Sequence, residues 1–372
     1  MEKNNNDTFT LQKMLTCIGN KRKLYPFIEN IIETDILPKL DKEKINILDG
    51  FAGSSVISRS LSQYCNKIYS NDLEKYAFVM ASCFLKTPTK QQKEKVITHI
   101  NRMNLIAKNG PYHEGIITKN YSPKETFNVQ KDERCFYTHK NGLIIDTLRK
   151  YISDNVEDEL FNYCITPLLI KASIHTNTSG VFKGFHKKNG IGSFGGSENH
   201  ALSRITKDIE LNIPIWSSES FEADVFQKNI NNLITELPND IDVTYYDPPY
   251  NQHPYSSNYF MLNLIIDNEM PAKISKVSGI PSEWNKSDYN YRKSAITSMK
   301  NLINETMKKS KYLLLSYNDE GIIPLDEWNN ILKEYDVKKY EKKYDTYKGS
   351  RNLKNRSNKV TEIVYLLSNY NS

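Results

Sequence analysis

The sequence predicts an α/β protein in which a parallel sheet covered by helices is interrupted by an inserted lobe. Residues 44–85 alternate strand, turn and helix signals twice, as in a parallel sheet with crossover helices. From about residue 90 this alternation stops and Gly, Asn, Lys and His become more frequent, until strand signals return after residue 205. We therefore expect a sheet domain at 1–94 and 206–372, and a mainly helical, loop-rich lobe at 95–205.

The spacing of apolar residues predicts the first elements. After residue 20, apolar residues recur every three or four positions, which indicates a helix. The run KINILDGFAGSSVISRSL at 44–61 predicts a strand, a turn over 49–55 and a helix. A second strand over 67–70 and a helix from 73 to about 85 complete the repeat.

Helical segments in the lobe and three later strands complete the predicted elements. The lobe shows helical spacing over 143–152 and 157–174, with a kink expected at Pro167. Strand signals then return in three places, at 241–246, 312–316 and 360–367.

Composition disfavours several classes of protein. The chain has 372 residues, 38% hydrophobic and 25% charged, which is typical of a soluble globular protein. It contains no apolar run long enough for a membrane span and no apolar signal segment near its first residues. Its five cysteines are far apart and its seven histidines form no metal-spaced set. We expect a cytoplasmic protein without membrane association, disulfides or a metal site.

Positive charge is concentrated in two places. The formal net charge is +6, and nine Lys and Arg residues lie within 338–359. A second group lies in the glycine-rich segment 180–200 and comprises Lys183, His186, Lys187 and Lys188. Basic residues mixed with aromatic residues suit a nucleic-acid partner, so we expect the second group to bind DNA. For the charge alone, a solvated lysine-rich surface is the alternative.

The segment DGFAGSS, residues 49–55, joins the end of the first strand to the start of a helix. Glycine there permits close approach to the backbone, and the helix start offers free N–H groups. Asp72 ends the second strand about twenty residues later, where nucleotide-binding folds have an acid that binds ribose. The segment lacks G-x-G-x-x-G, which disfavours a nicotinamide cofactor, and an ordinary turn is the alternative.

The segment DPPY, residues 247–250, follows the third predicted strand. Pro248 and Pro249 cannot donate to a sheet, so they end the strand and make the backbone rigid. Asp247 and the carbonyl of Pro248 could accept both N–H bonds of a base amino group and aim its lone pair at an electrophilic methyl. Tyr250 offers a face on which an extruded base could stack. A turn with a capping aspartate is the alternative.

Six motifs in this order resemble those of the D12 class of N6-adenine DNA methyltransferases, the group that includes the Dam-like enzymes. They are CIGNKRKL (17–24), DGFAGSS (49–55), YSND (69–72), ESFEADV (219–225), DPPYNQHPYSSNYFMLN (247–263) and YLLLSYNDEGII (312–323). Residues 133–152 resemble part of the inserted lobe of that class. Cys17, Gly50 and Ser55 differ from the residues usual at their positions, whereas DPPY is intact.

The resemblance implies a Rossmann-like methyltransferase that uses S-adenosylmethionine, acts on double-stranded DNA and has the inserted lobe as its target-recognition domain. The implied cofactor-binding residues are Gly19, Asn20, Lys21, Asp49, Phe51, Gly53, Asp72, Asp224, Val225 and Asp247. Among them, Asp72 would hold the ribose and Asp224 the adenine amine. The implied catalytic residues are Asp247, Pro248, Pro249 and Tyr250. A cognate restriction endonuclease is a candidate partner.

Other activities stay open at this point. Methyl transfer to N4 of cytosine in DNA, or to adenine in RNA, uses the same amine geometry, so DPPY alone does not separate them. The resemblance favours adenine in DNA. A DNA-binding regulator with the same fold but no catalysis is a further alternative, which the intact DPPY and the cofactor acids disfavour.

Overall fold

A seven-stranded sheet forms the centre of the protein. The computed structural model describes residues 9–10, 12, 14–15, 21–345 and 359–370. Within these ranges the strands, in chain order, are β1 (Ile45–Asp49), β2 (Cys65–Asn71), β3 (Lys187–Lys188), β4 (Ile191–Gly192), β5 (Glu222–Phe226), β6 (Ile241–Tyr246), β7 (Ser310–Asn318), β8 (Asp336–Asp345) and β9 (Lys359–Ser368). The strands β3 and β4 form a separate small hairpin in the inserted lobe.

The large sheet is parallel over most of its width and antiparallel at one edge. Its strand order is β5-β2-β1-β6-β7-β9-β8. The strands from β5 to β7 pair in parallel, whereas β9 runs antiparallel to both β7 and β8. The predicted parallel sheet is confirmed. The apolar pattern did not predict β8, because this edge strand reads DVKKYEKKYD and is rich in charged residues, as exposed edges often are.

The register of β1 and β6 brings the two sequence motifs together. Asp49, the last residue of β1, pairs with Tyr245 near the end of β6. In open α/β sheets, ligands bind beyond the carboxyl ends of the parallel strands. The turn over 49–55 and the DPPY segment therefore lie side by side at the ligand-binding edge.

Helices cover the two faces of the sheet and build the lobe. The described α-helices, in chain order, are α1 (Tyr25–Ile31), α2 (Val56–Leu61), α3 (Lys75–Leu85), α4 (Lys90–Asn109), α5 (Ile116–Tyr121), α6 (His139–Asn155), α7 (Phe161–Ile174), α8 (Leu202–Thr206), α9 (Ile230–Glu236), α10 (Tyr255–Asn258), α11 (Phe260–Asp267), α12 (Arg292–Met307) and α13 (Leu325–Leu332). A π-helical turn, Ile32–Ile36, continues α1. The helix α7 continues through Pro167.

The inserted lobe shares its hydrophobic core with the sheet domain. Buried side chains of α4, α6 and α7 pack in one cluster with those of α3 and α11. The predicted lobe boundaries at residues 95 and 205 fall inside α4 and α8, respectively. At the first boundary only a short turn separates α3 from α4. The division of the chain into two domains stays a prediction.

The residues that the structure describes contain neither a membrane-spanning helix nor a cluster of metal ligands. No helix there is long and apolar enough to cross a membrane. No group of three or more His, Cys, Asp or Glu side chains among those residues is arranged to hold a metal ion.

Candidate active site

A cavity of roughly 890 Å³, including its open mouth, lies beyond the carboxyl ends of β1, β2 and β6. Its walls come from the turn after β1, the start of α3, the DPPY segment and residues 254–290. The residues predicted from sequence that line it are Lys21, Asp49, Phe51, Gly53, Asp72, Asp247 and Pro249.

Asp49 is a buried carboxylate at the end of β1. Only 1% of its surface is exposed, and the hydroxyl of Ser58 donates to its Oδ2 at 2.6 Å. The other oxygen, Oδ1, has no hydrogen-bond partner among the described residues. Burial raises the pKa of Asp49 to about 7, although the bond from Ser58 opposes this rise. A buried carboxylate with one unpaired oxygen suits a ligand that donates hydrogen bonds or carries positive charge.

The turn after Asp49 presents backbone to the cavity. Gly53 has φ of +52°, a left-handed conformation, and a Cβ built there would meet no atom within 4 Å. A ligand can therefore approach the chain closely at this point. Gly50 is required for a different reason, because a Cβ there would lie 2.3 Å from the ring of Tyr246.

Asp72 and Glu74 form a second acidic wall. Asp72 accepts hydrogen bonds from the backbone N–H groups of Gly53 and Glu74, each at 2.8 Å. Glu74 is 5% exposed, and the amide of Asn263 donates to its Oε2 at 3.2 Å. Burial, together with the charge of Asp72, raises the pKa of Glu74 to about 8. Sequence reasoning missed Glu74, whose only signal was its place two residues after Asp72.

Asp247, the first residue of DPPY, is ion-paired with Lys21. The Lys21 Nζ lies 2.8 Å from Asp247 Oδ1, and 15% of the Asp247 side chain remains exposed. Burial raises the pKa of Asp247 to about 7; Lys21 opposes this rise and Glu362 adds to it. Burial acts to lower the pKa of Lys21, but its anionic neighbours raise that pKa well above its usual value. Lys21 therefore stays protonated beside the DPPY segment.

Glu362 is a buried acid beside the candidate site that sequence reasoning missed. It lies on β9, is fully buried, and its Oε1 is 2.7 Å from Lys21 Nζ. The only signal in the sequence was an acid inside the otherwise apolar strand VTEIVYLL.

Tyr250 is buried and does not line the cavity. The Lys21 Nζ donates to its hydroxyl at 2.8 Å, and its ring meets that of Tyr317 edge-on at 5.8 Å. Tyr255 does line the cavity, and its ring stacks on Tyr259 with centroids 6.1 Å apart. Phe51 and Tyr76 line the cavity as well, so its aromatic walls do not include Tyr250.

Four of the residues expected to bind the cofactor are not part of the described cavity. Asp224 and Val225 lie on β5, the edge strand, and do not line it. Asp224 is about half exposed and forms an ion pair with Lys67 at 2.9 Å. Gly19 and Asn20 lie outside the described residues.

The four basic residues expected to bind DNA lie on one hairpin of the lobe. Lys187 and Lys188 form β3 and are exposed. Lys183 and His186, which precede them, are half-buried. The charge of Lys183 lowers the pKa of His253, three residues after DPPY, so Lys183 lies near the segment that follows DPPY. Their contact with DNA stays a prediction.

Comparison with known sequences assigns the chain to a family. The sequence model of the family described as D12 class N6 adenine-specific DNA methyltransferase matches residues 18–331. The chain belongs to this family. The matched span contains the turn after β1, Asp72 and the DPPY segment, and it ends before β8 and β9. Methyl transfer to adenine N6 in DNA is the reaction for which this class is named.

The curated proteins whose sequences resemble this chain include modification methylases and type II methyltransferases. The modification methylase StsI of Streptococcus sanguinis is 27% identical over 94% of this chain and 51% of its own length. The type II methyltransferase M.CviAII of Paramecium bursaria Chlorella virus 1 is 26% identical over 86% of this chain and 87% of its own. The type II methyltransferase M.NlaIII of Neisseria lactamica is 25% identical over 94% and 98%. The chain thus spans about half of StsI and nearly all of M.NlaIII.

Proposed function

We propose that this chain transfers a methyl group from S-adenosylmethionine to N6 of an adenine within a specific sequence of double-stranded DNA. One observation carries the proposal: Asp247 of DPPY lines the same cavity as Asp49, Gly53 and Asp72. A methyl donor bound by the last three residues would lie beside an amine held by Asp247. Family membership supports adenine in DNA over cytosine or RNA.

The residues of the cavity fit S-adenosylmethionine. The unpaired Oδ1 of Asp49 suits the ammonium of its methionine part, and the open space over Gly53 suits close approach to the backbone. Asp72 lines the cavity at the end of β2 and suits the ribose hydroxyls. When bound, S-adenosylmethionine supplies an electrophilic methyl group. Gly19 and Asn20 remain proposed cofactor residues on the resemblance alone.

Asp247 and Pro248 would orient the target amine. The ring of Pro248 fixes its backbone φ angle, which holds its carbonyl rigidly. Pro248 also has no N–H of its own that could compete with the target amine as a donor. With the carboxylate of Asp247 and this carbonyl each accepting one N–H bond, the nitrogen lone pair points at the methyl group. Transfer makes the nitrogen positive, and its extra proton can then pass to Asp247.

A base reaches these groups only outside the double helix. Turning a base out of the stack costs a few kcal/mol, which stacking on aromatic side chains offsets. Pro249 and Tyr255 line the cavity beside Asp247 and offer such contacts. Tyr250 could stack on the base only after its ring leaves Tyr317.

The inserted lobe and its hairpin would bind the DNA around the target base. Lys183, His186, Lys187 and Lys188 are proposed to contact phosphates, which position the duplex without specifying its sequence. The names of the relatives support a role in restriction–modification. A restriction endonuclease that recognises the same sequence is the proposed partner.

The proposal is tested by methyl incorporation. The purified chain would be incubated with S-adenosylmethionine labelled in its methyl group and, in separate reactions, with DNA or RNA. The nucleic acid would then be digested and its bases identified by mass. Label in N6-methyladenine, clustered at one short sequence, is the expected result. Label in N4-methylcytosine or in RNA only, or no label, would contradict the proposal. The Asp247→Ala variant is the negative control.

A further inference from the structure

Glu362 lies in the catalytic charge cluster but outside the span that matches the family. That span ends at residue 331, whereas Glu362 is on β9, the antiparallel strand beside β7. Its side chain is fully buried, and two hydroxyl groups fix it in place. Ser316 donates to Oε1, and Tyr344 donates to Oε2 at 3.2 Å.

Lys21 lies between two carboxylates. Its Nζ is 2.8 Å from Asp247 Oδ1 and 2.7 Å from Glu362 Oε1, and it also donates to the hydroxyl of Tyr250. One ammonium and two carboxylates carry one net negative charge when all are ionised. The cluster therefore presents negative potential at the wall of the cavity that Asp247 lines.

Such a cluster is poorly explained by stability alone. Removing charges from water costs several kcal/mol for each ion, and a buried pair often stabilises no more than apolar residues would. A second carboxylate on the same lysine adds repulsion, since Glu362 raises the pKa of Asp247. Unfavourable electrostatics of this kind are typical of functional sites.

We propose that Glu362 is a positioning residue for methyl transfer. This proposal rests on the function proposed above. By binding Lys21 on the side away from the cavity, Glu362 prevents the ammonium from neutralising Asp247 completely. Asp247 then keeps the capacity to accept an N–H bond from the target amine. The net negative charge also favours the positive charge that develops on the nitrogen, as preorganised charges do at reacting centres.

The test compares Glu362→Gln with wild type in single-turnover methyl transfer. We expect the rate to fall about tenfold to a hundredfold. The affinity for S-adenosylmethionine, measured by calorimetry without DNA, should change less than about threefold, because Glu362 does not line the cavity. Glu341→Gln is the matched control, since Glu341 is an exposed acid on the neighbouring strand β8 that pairs with Lys339.

The pH profile separates this role from a purely structural one. The charged or titratable groups that act on Asp247 include Lys21, Glu362 and Asp49. Because Glu362 raises the pKa of Asp247, its loss should move the acid limb of the rate profile to lower pH. Glu362→Asp, which keeps the charge, should restore the wild-type limb and part of the rate.

Each outcome decides the proposal. A folded Glu362→Gln variant with the wild-type rate and pH profile would overturn it. If that variant does not fold, Ser316→Ala replaces it, because this change loosens Oε1 without altering charge; a severalfold lower rate supports the role and an unchanged rate overturns it. An inactive wild type in the same assay would instead contradict the proposed function.

Discussion

The backbone N–H of Gly53 donates to Oδ2 of Asp72 at 2.8 Å, joining the turn after β1 to the end of β2. The other oxygen of Asp72 accepts the N–H of Glu74, also at 2.8 Å. Burial raises the pKa of Asp72, and these two backbone bonds oppose that rise because they favour the charged form. One carboxylate thus holds two loops of the cavity in place.

Asp72→Ala should weaken S-adenosylmethionine binding at least about tenfold, or about 1.4 kcal/mol. The variant loses both the carboxylate that faces the cavity and the bond that shapes the Gly53 turn. Isothermal titration calorimetry of the folded variant measures the effect, and unchanged affinity would contradict the assignment.

Asp224→Ala is the informative comparison for that experiment. Asp224 is half exposed on β5 and pairs with Lys67 away from the cavity, so we expect its loss to leave cofactor affinity unchanged. A loss as large as that of Asp72→Ala would mean that Asp224 reaches the cofactor, as the family resemblance implies.

Asp247→Ala should abolish methyl transfer while cofactor binding survives. The substitution removes the carboxylate proposed to accept the N–H of the target amine, so the rate should fall by at least about a hundredfold. Labelled methyl incorporation measures the rate, and calorimetry confirms the binding. Transfer at a sizeable fraction of the wild-type rate would refute the role of Asp247.

Glu74→Gln should make folding less sensitive to alkaline pH. Burial raises the pKa of Glu74 from 4.5 to about 8. A raised folded-state pKa contributes stability that is present below the unfolded value and is lost as pH rises through the folded one. Glutamine has no such proton to lose. The free energy of unfolding of the variant minus that of wild type should therefore be about 2 kcal/mol more positive at pH 9 than at pH 6.

Urea unfolding of wild type and variant at the two pH values checks this prediction. Glu94→Gln, at an exposed position of α4, is the control and should have the same effect at both. An equal effect of Glu74→Gln at both pH values would show that Glu74 does not titrate in this range.

Lys183→Ala/Lys187→Ala should weaken binding to all DNA sequences alike. If both side chains bind phosphates, the slope of log affinity against log salt should shrink by about one unit for each phosphate that is no longer neutralised. Affinities for cognate and scrambled duplexes at several salt concentrations measure this.

Two lysines near the amino ends of the parallel strands, opposite the carboxyl ends where the cavity lies, provide a control. Lys44 precedes β1 and Lys308 precedes β7, so Lys44→Ala/Lys308→Ala should keep the full salt slope. If the first double variant also keeps the full slope, its lysines do not touch the DNA backbone. If it loses sequence discrimination but not slope, they read bases.

The sequence by itself determined five of the seven strands of the sheet, the turn over 49–55 and the DPPY segment. These features depend on local patterns: alternating strand and helix signals, glycine in a turn, and two prolines that end a strand. Their meeting at one edge followed from the rule that parallel strands end on the same side. The strands at 241–246 and 360–367 were accordingly found within a residue or two of their bounds in the structure.

Only the tertiary structure decided which acids and aromatic rings lie at or beside the cavity. Glu362 meets Lys21, and Glu74 meets Asn263, through interactions between segments far apart in the chain. Local spacing carries no record of such interactions, and burial, which raises the pKa of Glu74, is set by packing around that side chain. For the same reason the structure buries the ring of Tyr250 and leaves Asp224 on an edge strand, outside the cavity.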